Sequence, residues 1–217
     1  NNIKTSNTVG VYYQYCGGLI GLVYGPTQEN QNGEFGLSVN INNCEVSGTI
    51  QKRHTSTKYI GGAIGGVVAW NNTDSPRYGN IKLNIDKFNF NGTLTASEYG
   101  AGGISGSIGG VQANFTNITV GGKVSAPYGF GGIAQHIDGF ATVDSFTVPA
   151  EAEWSISTGN NAYYSAAPFG ESLNAWVEAK NVTIDPGAKI EALGPRKSGV
   201  DKPVVFYGTS ITHGGCC

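Results

Sequence analysis

Apolar and polar residues alternate with a period of two in a short element that recurs along the chain. In each copy, β-branched or aromatic residues lead into a small-residue turn, and another apolar residue follows the turn. A period of two is typical of a β-strand with one buried face, and helical periodicity is nearly absent. The pattern therefore predicts an all-β chain. The copies occupy residues 44–50, 88–94 and 118–124, with weaker ones at 146–150 and 182–187.

A glycine-rich element alternates with the first. In each copy a tyrosine precedes a pair of small residues, usually two glycines, and the first glycines of successive pairs are 29 to 44 residues apart. Glycine pairs permit positive φ at corners and allow one backbone to pass close to another, so we expect both at these positions. The copies occupy residues 15–21, 59–65, 99–104 and 128–133, with a degenerate fifth at 164–170.

The two elements together predict stacked repeats. A single repeat has too few large apolar side chains to form its own core, whereas stacked neighbours bury one continuous core. We therefore predict a glycine-rich β-repeat domain over residues 1–194, with a parallel β-helix or solenoid-like repeat column as the first choice. A β-sandwich or jelly roll is the alternative, because the repeat lengths are irregular for a solenoid. The polar segments 27–34 and 71–80 are expected to be loops that leave the column.

The repeat pattern resembles that of a known family. Residues 43–50, followed by residues 59–65, are similar to the GLUG-type repeat of secreted and surface-attached proteins. The resemblance covers residues 10–140 approximately. It implies a β-helical stalk or adhesin that is extracellular or attached to the cell surface.

The composition changes near Gly194. Residues 195–203 are polar and rich in turn formers, which predicts a linker, and residues 204–217 are expected to be a C-terminal strand and tail. The stretch 203–215 resembles the first block of the SGNH/GDSL hydrolases, and this resemblance implies that Ser210 would be a nucleophile. That family takes its base from a later Asp-x-x-His, which these 217 residues lack. We therefore predict no catalytic residue; the alternative is the non-catalytic N-terminal part of an SGNH-type hydrolase.

The apolar end of the chain also suggests self-association. A strand attached through a Pro-containing linker could add to the sheet edge of a neighbouring molecule and build a filament. Cys216 and Cys217 would then be available for intermolecular links. The alternative is that the strand folds back on its own molecule. The joining residues in this hypothesis are Val204, Val205, Phe206, Tyr207 and Ile211.

Charge and composition narrow the choice of partners. Lys and Arg total 13 and Asp and Glu total 15, so the formal net charge of −2 gives no support to a nucleic-acid partner. No apolar run approaches the ~20 residues of a membrane span. The four cysteines form no C-x-x-C pair and have no accompanying histidine cluster, so neither a metal site nor a cofactor is predicted.

N-x-Thr sequons favour an extracellular glycoprotein. Asn71 is expected to be the most accessible acceptor because its surroundings read as an exposed loop. Asn91 adjoins a glycine turn and is expected to be second. The sequon asparagines are Asn71, Asn91, Asn114, Asn117 and Asn181.

Cys16 and Cys44 are predicted to form a disulfide. They are 28 residues apart, close to the shortest repeat interval. Residues one repeat apart in a stack lie ~5 Å from each other, which is within the range that a disulfide accepts. The alternative is a pair of buried thiols.

A structural or adhesive surface protein is the leading functional hypothesis, with the protein itself, other surface proteins or glycans as partners. The rival is a carbohydrate-active β-helix. Glu151 and Glu153 have the spacing to share one face of a strand, but surface charge is the preferred interpretation. Trp70, Trp154 and Trp176 could form a platform that stacks on sugars, but core packing or capping of the column is preferred.

Overall fold

The structure is a computed structural model. It describes residues 3–5, 8–11, 14–25, 37–52, 58–68, 81–96, 100–156, 166–170 and 172–190. All regular secondary structure in these ranges is β-strand, which confirms the all-β prediction. The described strands pair only in parallel. β-Sandwiches and jelly rolls are built from antiparallel sheets, so that alternative does not fit the described strands.

The described strands form three sheets, named A, B and C here. Sheet A contains β1 (Ile3–Thr5), β4 (Ile20–Tyr24), β5 (Leu37–Val46), β8 (Ile64–Val68), β9 (Ile81–Phe90), β12 (Ser105–Val120), β15 (Ala134–Val148) and β18 (Ser172–Ile184). Sheet B contains β2 (Val9–Val11), β6 (Thr49–Lys52), β10 (Thr93–Thr95), β13 (Lys123–Ala126), β16 (Glu153–Ile156) and β19 (Lys189–Ile190). Sheet C contains β3 (Tyr15–Gly17), β7 (Tyr59–Gly61), β11 (Ala101–Gly102), β14 (Phe130–Gly131) and β17 (Ala166–Ala167).

The chain visits the three sheets in a fixed cyclic order. From β9 in sheet A it passes to β10 in sheet B, to β11 in sheet C and back to sheet A with β12, and the next pass repeats this order. Each strand pairs with its counterpart from the adjacent pass, as β12 does with β9 on one side and β15 on the other. Equivalent positions of successive repeats therefore lie side by side.

The long strands of sheet A each contain one non-glycine residue with a left-handed backbone, at φ between 53° and 62°. These residues share one register position, and we call them the left-handed column. On either side of Lys87, for example, Ile85 and Phe88 are both buried. In a regular strand, residues three apart face opposite sides of the sheet. Because both of these residues face the core, the left-handed residue between them shifts the alternation by one position. The column consists of Asn43, Lys87, Asn117, Ser145 and Asn181.

The glycine pairs lie where sheet C leads into sheet A, and they have no room for a side chain. A Cβ on Gly61 would lie 1.9 Å from the carbonyl oxygen of Ile64, and one on Gly62 would lie 2.0 Å from the carbonyl oxygen of Gly103 in the adjacent pass. The predicted close approach of backbones is therefore confirmed. The predicted positive φ is wrong at these pairs, because their backbone is not left-handed.

One core runs through all the passes. Its largest buried side chains are aromatic, including Phe90, Phe115, Phe146 and Trp154. On β18, at the edge of sheet A, Val182 and Ile184 are exposed, whereas Phe146 and Val148, their register partners on β15, are buried. The sheets extend from Ile3 to Ile190. The predicted loops 27–34 and 71–80, the linker 195–203 and the tail 204–217 lie outside the described residues.

Candidate functional site

A row of polar side chains crosses the outer face of sheet A. Asn84 donates a hydrogen bond from Nδ2 to Oδ1 of Asn40, and Asn114 donates in the same way to Asn84, each over 2.8 Å. Thr142 continues the row by donating from Oγ1 to Oδ1 of Asn114 over 2.7 Å. Glu178 occupies the same register position on β18. We call Asn40, Asn84, Asn114, Thr142 and Glu178 the amide row.

Two aromatic side chains lie beside the amide row. Phe140 on β15 and Trp176 on β18 are direct register partners, and they are 48% and 57% exposed. They stand two residues before Thr142 and Glu178, and therefore on the same face of the sheet. The indole Nε1 of Trp176 donates to Oε1 of Glu178 over 3.2 Å, which orients the ring relative to the row. We call Phe140 and Trp176 the aromatic pair.

Asp144, on the same outer face of sheet A, connects two neighbouring strands. Asp144 accepts hydrogen bonds from Asn181 over 2.9 Å and from Ser145 over 3.2 Å, and its carboxylate lies 3.1 Å from the Lys180 ammonium. The hydrogen bond from Asn181, followed by that from Lys180, lowers the pKa of Asp144. The carboxylate is therefore ionised at neutral pH and links β15 to β18.

The two carboxylates near the start of β16 have different surroundings. Glu153 lies between two lysines, 3.3 Å from Lys123 and 3.0 Å from Lys189, across the outer face of sheet B. The hydrogen bonds from Lys189 and Lys123 lower the pKa of Glu153. The lowered pKa argues against a general-acid role for Glu153, and its two ion pairs fit the surface-charge interpretation. Glu151 is exposed in the turn before β16.

The sequon asparagines differ in the surroundings of their amide nitrogens. Asn114 is partly buried within the amide row, where its Nδ2 bonds to Asn84. Asn117 and Asn181 are exposed but donate to Asp86 and Asp144 on neighbouring strands, over 3.0 and 2.9 Å. Asn91 is exposed in the turn between β9 and β10. Asn71 lies outside the described residues.

The two cysteines of the predicted disulfide are buried thiols in this structure. Cys16 lies in sheet C and pairs in register with Ile60, whereas Cys44 lies in sheet A and pairs with Ile3 and Phe88. The structure does not support the predicted bond, because Cys16 and Cys44 do not occupy equivalent positions of adjacent repeats. Burial raises the pKa of Cys16 to about 11.

The described tryptophans have opposite surroundings. Trp154 is buried and packs edge-on against Phe130, with 4.8 Å between ring centroids, as core packing predicts. Its Nε1 has no hydrogen-bond partner within the described part of the chain. Trp176 is exposed and therefore does not pack in the core, because the left-handed residue Asn181 reverses the face on which it lies; the alternative that it caps the column stays a prediction. Trp70, Ser210 and the joining residues Val204, Val205, Phe206, Tyr207 and Ile211 lie outside the described residues.

Comparison with known proteins gives no relative: no family model, curated protein or solved structure matches this chain. Within the described ranges, no group of three or more His, Cys, Asp or Glu residues could hold a metal ion. The same ranges contain no helix of the length and apolar character needed to cross a membrane.

Proposed function

We propose that this chain is an extracellular structural or adhesive surface protein built on a parallel β-helix. The fixed cyclic order of sheets A, B and C supports this architecture, since a chain that winds through three parallel sheets is a helix of strands. The register also supports this architecture, because it places equivalent residues of adjacent passes side by side. A core shared between passes makes the column rigid without a core in each repeat.

The observation that carries the functional proposal is the combination of amide row and aromatic pair on one outer face. The row repeats one chemistry across β5, β9 and β12, and its hydrogen bonds run from strand to strand. Exposed aromatic side chains beside it add contact area for a partner. A long, regular face of this kind suits attachment to another surface.

Filament formation belongs to the same proposal. The last described strand of sheet A exposes Val182 and Ile184, and the sequence continues to the apolar segment that begins at Val204. Joining molecules through 204–211 would extend the column. Deleting residues 203–217 should reduce the sedimentation coefficient of the assembled protein; an unchanged value would reject this mode of assembly.

The function is tested by adhesion under flow. Beads that carry the purified chain are passed over surfaces coated with extracellular polysaccharide or extracellular protein, and beads that carry an unrelated β-rich protein of similar charge serve as the control. We expect retention of the chain-bearing beads on at least one surface. Equal detachment of both bead types would contradict the adhesive proposal, and turnover of polysaccharide or ester substrates by the chain would favour an enzyme.

A further inference from the structure

The aromatic pair differs from its register partners on the other long strands of sheet A. In the same register position, β5, β9 and β12 carry Ser38, Lys82 and Gln112, which are polar. Only on β15 and β18, among the described strands, is the position aromatic. Two neighbouring strands therefore present a local apolar surface within a polar face.

The two rings lie next to each other and form one continuous apolar surface. Partners in a parallel sheet lie ~5 Å apart, and their side chains project from the same face. Phe140 and Trp176 thus lie side by side, and each keeps about half of its surface exposed. The hydrogen bond from Trp176 to Glu178 orients the larger ring.

Hydrogen-bonding groups border these rings on one side. Thr142 and Glu178 lie two residues further along the same strands, and Asn114 lies next to Thr142 on β12. Thr142 donates to Asn114, and Glu178 accepts from Trp176. Each carboxylate or hydroxyl oxygen has more than one acceptor site, so these groups retain capacity to bind hydroxyls of a ligand.

The charges around the pair are mixed in sign. Glu178 is acidic, as is Asp138 two residues before Phe140. Lys82 is basic but lies two strands away on β9, and Asp144 and Lys180 neutralise each other as an ion pair. A strongly anionic ligand would therefore be disfavoured at this face. The chemistry that fits is a neutral ligand with alternating apolar faces and hydroxyl edges.

We infer that the aromatic pair and the adjoining part of the amide row bind a neutral polysaccharide. The apolar faces of its pyranose rings stack on Phe140 and Trp176, and its hydroxyls bond to Thr142, Glu178 and Asn114. This inference rests on the proposed adhesive function and names the material to which the surface attaches.

Affinity electrophoresis of the full chain tests the inference, with gels that contain laminarin, hydroxyethylcellulose or galactomannan. At least one of these neutral polysaccharides should retard the chain. Trp176→Ala and Phe140→Ala should each weaken the retardation constant by about tenfold, which corresponds to about 1.4 kcal/mol of binding free energy. Trp176→Tyr should retain most of the binding.

The matched control is Tyr24→Ala, which removes an aromatic side chain that is 51% exposed on β4 in the same sheet. It should leave retardation unchanged. All the substituted side chains are exposed, so thermal unfolding should be unaffected and serves to verify folding.

Four outcomes would overturn the inference. Three are no retardation by any of the neutral polysaccharides, retardation only by an anionic one such as alginate, and loss of self-association rather than glycan binding in Trp176→Ala. The fourth is adhesion of beads bearing Trp176→Ala that equals adhesion of the parent chain, in which case the adhesive function stands. If the bound polysaccharide is cleaved, the site stands and the non-enzymatic function fails.

Discussion

Gly62 packs directly against the backbone of Gly103 in the adjacent pass. A Cβ on Gly62 would lie 2.0 Å from the Gly103 carbonyl oxygen and 2.8 Å from the Phe90 ring. Real Cβ atoms do not approach a backbone oxygen to this distance. The glycine pairs therefore set the spacing at which one pass can stack on the next.

Gly62→Ala is expected to lower the free energy of unfolding by ~3 kcal/mol, because neither backbone can yield without disturbing its own strand pairing. Gly109→Ala is the control, since a Cβ there would meet its nearest atom at 3.8 Å. That variant should lie within ~0.5 kcal/mol of the parent chain. Urea unfolding followed by circular dichroism measures the free energy of unfolding of each variant. Equal values for Gly62→Ala and Gly109→Ala would contradict the packing described.

The left-handed column predicts a position-specific response to β-branched residues. Lys87→Val should destabilise the chain by ~1–2 kcal/mol, because a β-branched side chain clashes at a φ of 53°. Lys87→Asn should be neutral or stabilising, since asparagine tolerates this backbone and already fills three positions of the column. Lys82→Val, at an extended position of the same strand, is the control and should have little effect. Destabilisation by Lys82→Val equal to that by Lys87→Val would show that charge, not backbone, is responsible.

The amide row predicts sensitivity to the direction of its hydrogen bonds. Asn84→Asp removes the donor to Asn40 but keeps the acceptor for Asn114, so stability at neutral pH should fall by ~1 kcal/mol. Protonation restores an O–H donor, so part of this loss should be recovered as the pH falls through the pKa of the new carboxyl. Asn91→Asp, in an exposed turn, is the control and should show neither effect. A pH-independent loss in Asn84→Asp would argue against the hydrogen-bond polarity described.

Cys16 predicts a loss of stability at alkaline pH. Its pKa rises from an ordinary 9.0 to about 11 on burial, so the unfolded chain ionises first. The contribution of the neutral thiol is fully present below pH 9 and is lost as the pH rises through 11. Burial also raises the pKa of Tyr15, which acts in the same direction. Cys16→Ala should therefore flatten the decline in melting temperature between these pH values without abolishing it; an unaltered slope would exclude the thiol as its source.

The all-β secondary structure and the sequence repeat could be predicted because both depend on local patterns of residues. The alternation at 88–94 and the tyrosine–glycine blocks appear directly in the chain. The amide row also left a signal that was missed: Asn40, Asn84 and Asn114 each stand four residues before the apolar start of the repeated element. Its meaning depended on register, which places these residues side by side.

The aromatic pair could not be predicted from the period-two pattern. Phe140 and Phe146 have the same parity, so uninterrupted alternation assigns both to the core. Ser145 adopts φ 62° and reverses the alternation, so Phe146 is buried while Phe140 is exposed. Serine and lysine seldom adopt a left-handed backbone. Only the asparagines at the same register position of other strands indicate this conformation in the sequence. The predicted disulfide lacks structural support for a related reason, because sequence distance alone did not reveal that Cys16 and Cys44 belong to different sheets.

We propose that the outer face of sheet A attaches the protein to a surface and does not cleave the material it binds. The most direct measurement takes material retained by chain-bearing beads, incubates it in contact with them for a day, and compares its molar mass before and after by light scattering. We predict firm retention and an unchanged molar mass. Shortened material, or no retention on any surface, would contradict the claim.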